Sequence, residues 1–328
     1  MKRSLFWLGA AAMALASCTN SEVMEVAENR AIGFSSFVGK PTKAVTPVTS
    51  LSDNYYVFGN YDDGASTWDG QAFNNEINTA TYYWQTGKTY RFGAYADGAG
   101  GKLDNTQVSF SATDQELTFT NYTPDDDKDL VAAVTGDIEE TNYGTGTPVP
   151  LTFNHMLSQV KLTFTTDAAD TYKLTITDVK INGAVSTATG TYTTSGASWD
   201  GGTANNGYSY EDFKTTADGT IAISKEAPAS QVKLVIPQGS TNSLTVTFTA
   251  TIKGEDTGTT DFTAYLTHAQ SGHENTWVPG YCYNYTAYVE LSKVIDNAGS
   301  KVKIKFTPTV TPWEDEYNTD IPNPTLVP

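Results

Sequence analysis

Imidazole and thiol are the side chains that most often bind metals or move protons near neutral pH, and both are scarce here. The 328 residues include three histidines, His155, His268 and His273, and two cysteines, Cys18 and Cys282. His268 and His273 lie five positions apart around Gly272, which matches no HExxH helix, and no zinc ligand set accompanies them. They read as loop histidines. His155, between Phe153 and Leu157, reads as a structural residue hydrogen-bonded in a core or at a sheet end. The densest acid cluster is Asp125-Asp126-Asp127-Lys128-Asp129. Calcium loops place oxygen ligands at alternate positions around a glycine turn, and this run does not, so it reads as a solvated loop. No GxSxG elbow or phosphate-binding glycine loop is present. Carboxylates are plentiful enough for a glycosidase pair, yet nothing singles out two of them. Trp68, Trp84 and Trp199 sit near turn-rich segments, where they either stack on sugars or plug sandwich ends; the plug is favoured. The residues therefore predict no catalytic, cofactor-binding or metal site, and a protein that is not an enzyme.

Charge excludes a further class. With 37 acidic and 20 basic residues the chain carries −17, the wrong sign for a phosphate backbone, so no nucleic-acid partner is expected. Its start reads as an address. Lys2 and Arg3 precede an apolar run over residues 5–14, long enough for a signal peptide and too short to span a bilayer. Leu15-Ala16-Ser17-Cys18 follows and resembles a bacterial lipobox. That resemblance implies cleavage after residue 17 and lipidation of Cys18. Thr19 and Asn20, in place of Asp, resemble the signal for the outer membrane. Cys282 then reads as a buried thiol acting as a small apolar residue.

The elements that must position these residues are strands. Leu244, Val246, Phe248, Ala250 and Ile252 alternate with Ser243 and four threonines, the period-two signature of a half-exposed sheet. The same period predicts strands at Val160–Phe164, Val232–Ile236, Tyr281–Leu291 and Val302–Phe306. Leu174 and Ile176 change phase to Val179 and Ile181, which predicts a bulge near Asp178. Shorter strands are predicted at Ile32–Val38, Tyr55–Tyr61, Tyr82–Trp84, Thr89–Tyr95, Glu116–Tyr122 and Leu130–Val134. The many short strands separated by turn signals predict all-β sandwiches. A turn-rich stretch near Thr141–Pro150 predicts a break between an N-terminal sandwich (44–145) and a C-terminal one with its tail (146–328), after a lipidated segment (18–43).

Two segments fit poorly into that scheme. The first strand candidate is followed by Gly39-Lys40-Pro41-Thr42-Lys43-Ala44, a basic linker. A trypsin-like protease cutting at Lys43-Ala44 would remove the lipid and that strand together, leaving a groove that another chain's strand could fill. A cut at Arg30-Ala31 would spare the strand. The competing reading is a plain tether between lipid and sandwich, and the residues alone leave both open. At the other end, Thr309-Val310-Thr311-Pro312-Trp313 precedes a proline-rich tail that either stays mobile or lies along another subunit's sheet edge.

Several segments together resemble the fimbrillin family, the type V pilins. They are the lipobox at Cys18, Ile32-Gly33-Phe34-Ser35, Asp129-Leu130-Val131-Ala132-Ala133, the stretch from Leu151 to Val160, Val235-Ile236-Pro237-Gln238, Trp277-Val278-Pro279-Gly280-Tyr281 and Val310-Thr311-Pro312-Trp313-Glu314. The resemblance implies two transthyretin-like antiparallel β-sandwich domains. It implies export as an outer-membrane lipoprotein, removal of the first strand by proteolysis, and assembly with other pilin subunits by strand exchange. Ile32, Phe34 and Val38 would belong to the exchanged strand, and Val310 and Trp313 to the C-terminal segment that fills a neighbour's groove. The family's cut usually follows arginine, whereas Lys43 stands here. A glycan-binding surface lipoprotein or retained anchor is the alternative function.

Overall fold

The structure is a computed structural model that describes residues 30–38, 50–51, 54–62, 64, 67–98, 101–125, 128–202, 221–225, 229–252, 259–313 and 326–327. In chain order the strands of the first part are β1 (Phe34–Val38), β2 (Ser50–Leu51), β3 (Tyr56–Tyr61), β4 (Gly70–Ile77), β5 (Thr89–Asp97), β6 (Val108–Ser111), β7 (Glu116–Tyr122), β8 (Leu130–Val134), β9 (Ile138–Glu139) and β10 (Val149–His155). They continue with β11 (Ser158–Thr166), β12 (Leu174–Asn182), β13 (Ala188–Thr193), β14 (Gly196–Trp199), β15 (Ile221–Ile223) and β16 (Ala229–Val235). The last are β17 (Thr245–Ile252), β18 (Thr259–Tyr265), β19 (Tyr281–Val289), β20 (Lys301–Lys303), β21 (Phe306–Pro312) and β22 (Leu326–Val327). Among the described residues helix is confined to short segments such as Glu140–Tyr143 and Leu291–Asp296. The fold class is all-β, as the alternating pattern predicts.

One seven-stranded sheet has the order β1-β10-β8-β5-β3-β4, with β9 also on β5. Both its faces are buried. Val131 and Ala133 of β8 face one core with Val57, Phe73, Phe92 and Phe153, while Leu130 and Ala132 face a second with Tyr95, Leu117, Phe119 and Tyr192. A strand covered on both sides needs a continuous apolar run, which Leu130-Val131-Ala132-Ala133-Val134 supplies. The second core is closed by a four-stranded sheet, β14-β13-β7-β6. Glycines make room inside this stack: a Cβ on Gly93 would lie 2.5 Å from the Phe110 ring.

The other two sheets, β16-β11-β19-β21 and β15-β12-β17-β18-β20, enclose a third core. Val160, Leu162, Phe164, Tyr283 and Tyr285 meet Ile176, Val246, Phe248 and Phe262 there. The predicted bulge is present: Asp178 has φ 52° and the β12–β17 register shifts between Thr177 and Lys180. Most ladders are antiparallel; β1–β10, β11–β19 and β18–β20 are parallel.

Three features differ from the sequence pattern. The single strand read through Val302–Phe306 is two strands, β20 and β21, which belong to different sheets. Tyr82–Trp84 is an irregular segment with one bridge, Ala31 to Tyr83. The sheets also do not divide at 145/146. β10 pairs with β1 and β8, and β13 pairs with β7, so residues on both sides of that position share sheets. The chain crosses between sheet pairs at Met156-Leu157, both fully buried, and returns after β12 to form the β13–β14 hairpin.

Candidate functional site

The strand β1 lies at the edge of the seven-stranded sheet, hydrogen-bonded on one side to β10. The ladder is parallel and in register from Phe34 opposite Val149 to Val38 opposite Phe153. Period two sends Ile32, Phe34, Ser36 and Val38 to one face. Ile32 is 4 % and Val38 1 % exposed. The Phe34 ring stands edge-on to Phe73 and Phe92, with centroids 5.4 and 5.2 Å away. The Ser36 hydroxyl donates to the Leu51 carbonyl at 3.4 Å. β1 is thus the lid of an aromatic core. Full burial of an Ile or Val side chain is worth about 1.5–3 kcal/mol, so Ile32 and Val38 alone contribute several kcal/mol to holding it in place.

The segment ahead of β1 is also tied down. The Ile32 amide donates to the Tyr82 carbonyl at 2.8 Å, and the Trp84 amide to the Arg30 carbonyl at 2.9 Å. The Arg30 guanidinium donates to the Thr86 hydroxyl at 2.9 Å, the Trp84 carbonyl at 3.1 Å and Glu140 Oε1 at 3.3 Å. Arg30-Ala31 is therefore built into the sheet edge. Cys18, Lys43 and Ala44 lie outside the described residues.

Val310 and Trp313 are held in their own chain. Val310 lies in β21, opposite Tyr283 of β19, and is 8 % exposed. Pro308 and Pro312 are compatible with β21 because it is an edge strand. Trp313, 2 % exposed, sits in the second core with Leu130 and Ala132, so it occupies the face of the seven-stranded sheet opposite to β1's side chains. Its indole stacks on the His155 ring at 4.3 Å and 9°. His155 Nδ1 in turn lies 2.8 Å from Oδ2 of the fully buried Asp129. The sequence thus places His155 correctly as a structural group. It also hides that Asp129, the last acid of the cluster, is a core residue.

The structure therefore gathers Ile32, Phe34, Val38, Arg30 and Ala31 at one sheet edge and keeps Val310 and Trp313 away from it. A pairing not foreseen from the residues appears beside β1. The C-terminal β22 pairs antiparallel with β2, Ser50 opposite Val327 and Leu51 opposite Leu326. The local signal for it is the apolar pair Leu326-Val327 near the end of a proline-rich tail.

The other candidates resolve as packing. Trp84 is 3 % exposed. Trp68 lies under the Arg91 guanidinium, 4.0 Å from its ring centre, and Trp199 donates its indole N–H to the Met156 carbonyl at 2.7 Å. Cys282 is buried. Among the described residues no group of three or more His, Cys, Asp or Glu could hold a metal ion. No helix among them is long and apolar enough to cross a membrane.

Comparison with known proteins sets these features in a family. A crystal structure of a candidate cell adhesion protein from Bacteroides ovatus is similar with a TM-score of 0.50 at 14% identity, covering 87% of this chain and 98% of that one. A candidate cell adhesion protein from Bacteroides uniformis gives 0.46 at 17% identity, covering 86% and 98%. The fimbrial anchor protein Mfa2 from Porphyromonas gingivalis gives 0.34 at 12% identity, covering 78% and 89%. No curated protein matches the chain. The fimbrillin-like family profile matches residues 20–313, nearly the whole chain, and includes β1, its partner β10 and Trp313; the chain belongs to the fimbrillin-like family.

Proposed function

We propose that the protein is a structural, non-enzymatic subunit of a surface fimbria, exported to the outer membrane as a lipoprotein anchored through Cys18 and activated by removal of β1. The carrying observation is the placement of β1. It is an edge strand, parallel to β10, whose inward Ile32, Phe34 and Val38 seal an aromatic core. Its loss leaves a row of unpaired β10 backbone groups above apolar pockets, which is what β-augmentation by another chain requires.

A cut at Lys43-Ala44 by a trypsin-like protease suits this role better than one at Arg30-Ala31. The second bond lies N-terminal to β1 and would leave the strand in place. It is also held by the Arg30 contacts and the Ala31 bridge, whereas proteases favour exposed extended segments.

The donor is assigned to the C-terminal segment after Trp313, with Val310 and Trp313 as its anchor. Both are buried in their own chain, so donating them would open two cores at once. The β2–β22 pairing supports a tail able to form a strand against the N-terminal sheets. Partners are other copies of this chain or related pilin subunits.

The test is Lys43→Ala, followed by N-terminal sequencing and a non-boiled SDS gel of surface protein. The expected result is an uncut chain beginning at lipidated Cys18 and running as monomer, against an Ala44 start and a ladder for the wild type. A ladder from the variant removes the assigned cut. A wild-type chain that keeps Cys18 and never forms a ladder points to the retained anchor.

A further inference from the structure

A cleft lies away from β1, between the β13–β14 hairpin and the loop that leads into β19. Its volume is about 600 Å³. One wall is the turn Thr194-Ser195 with Tyr192 and Asn154; the other is His273 and Tyr281. The two walls come from different sheet pairs, so the cleft exists only when the whole molecule is folded.

Its chemistry is unusual for this chain. The protein has 57 Asp, Glu, Lys and Arg residues, and none of those among the described residues lines the cleft. Two imidazoles, His155 and His273, line it, and burial holds the His273 imidazole below its ordinary value. The site therefore presents hydroxyls, an amide, imidazole and phenol rings, with no Lys or Arg among the described residues to match an anionic ligand and no Asp or Glu among them to match an amine.

These groups are held in fixed positions. The Asn154 amide donates to the Tyr192 hydroxyl at 2.6 Å. The His273 ring is fixed by Nδ1 at 2.9 Å from the Tyr283 hydroxyl and meets the Tyr281 ring edge to face at 4.3 Å. Gly196 and Gly272, at φ 111° and 82°, keep the rim low, and a Cβ at either would meet nothing within 4 Å. Pre-set polar groups beside an aromatic face, in a cleft of a few hundred Å³, are the general features of a small-ligand site.

From this juxtaposition we propose that the cleft binds an uncharged saccharide, with Asn154, Tyr192 and His273 meeting ring hydroxyls and Tyr281 packing against a sugar face. Sugar hydroxyls both donate and accept, as do most of these groups. A peptide is a poorer match, because no Lys, Arg, Asp or Glu among the described residues stands in the cleft to fix a terminus. The proposal does not depend on polymerisation. It also differs from a tryptophan-based glycan site, since Trp68 and Trp199 are engaged in packing.

The test is an array of neutral hexose and N-acetylhexosamine oligosaccharides printed beside sialylated and sulfated ones, probed with the purified chain. Retention on neutral glycans is expected. Ser195→Trp places a large ring on an exposed turn at the cleft mouth and should cut that signal at least tenfold while leaving the thermal melt unchanged. Tyr281→Ala should weaken it similarly, and Trp68→Ala should not. No retention, retention of charged glycans alone, or a signal that survives Ser195→Trp in a folded protein would each overturn the assignment. The ladder assay for Lys43→Ala reads assembly separately, so failure of one leaves the other standing.

Discussion

Two buried carboxylates show how differently one residue type behaves in this fold. Asp129 Oδ2 meets the His155 ring, and that ring carries the Trp313 indole. Removing one member of a buried pair strands the other, so Asp129→Ala should cost about 3 kcal/mol in a urea melt. It should also weaken the hold on Trp313, read as a red shift of tryptophan emission. Asp97 has a single hydroxyl partner, Tyr122, which donates at 2.8 Å. Burial raises its pKa from 3.8 to about 6, and the Tyr122 hydrogen bond offsets this in part. The folded state therefore binds a proton more tightly than the unfolded one between about pH 4 and 6. Asp97 favours the folded state fully below pH 4, and that contribution is lost as pH rises through 6, about 3 kcal/mol in all. Asp97→Asn should remove this slope, so the wild-type and variant stability curves should converge at low pH and separate above pH 6.

At the level of elements, the regular strands were legible and the irregular ones were not. β7 and β8 match their predicted bounds because their apolar residues follow one clean pattern. β4 is not legible because Gly70-Gln71-Ala72-Phe73-Asn74-Asn75 has little apolar alternation, its pairing with β3 shifts register on both sides of Gly59, and Asn75 has φ 57°. β10 was missed because Pro150 reads as a turn signal, although its pairing is with the edge strand β1. The candidate site was half legible. Ile32, Phe34 and Val38 announce an inward face, but nothing local tells which strand receives β1, since parallel partners lie far apart in sequence. Phe34→Ala should lower the stability of the uncut chain by about 2 kcal/mol and, under the proposed assembly, hasten polymer formation in a timed gel assay. Gly93→Ala should cost about 2 kcal/mol by overpacking against Phe110, measurable as a lower urea midpoint at unchanged slope.

For the whole molecule, the separation between anchor and tail is the main consequence. A chain ending at Trp313 keeps β21 and the three cores described, so it should melt within a few degrees of the full chain and, under the proposed assembly, form no ladder. A chain ending at Lys305 loses Phe306, Val310 and Trp313 together and should fail to give soluble protein. Periodicity shows faces and lengths, whereas the route by which residues 149–199 pass between sheets depends on long-range pairings that no window of sequence contains.

That route has a mechanical meaning. The chain leaves the first sheets after β10, enters the second pair with β11 and β12, returns for β13–β14, and goes back for β15. With the return of Trp313 and β22 to the first part, the described residues stitch the two parts by at least four crossings, unlike beads on a string. Tension applied between the ends loads the terminal edge strands β1 and β21 first, and the two parts can separate fully only once the β13–β7 ladder has been sheared. A fibre of these subunits under flow should resist pulling up to one high force, and a single-molecule stretch of the monomer should show one main rupture where two independent sandwiches would show two.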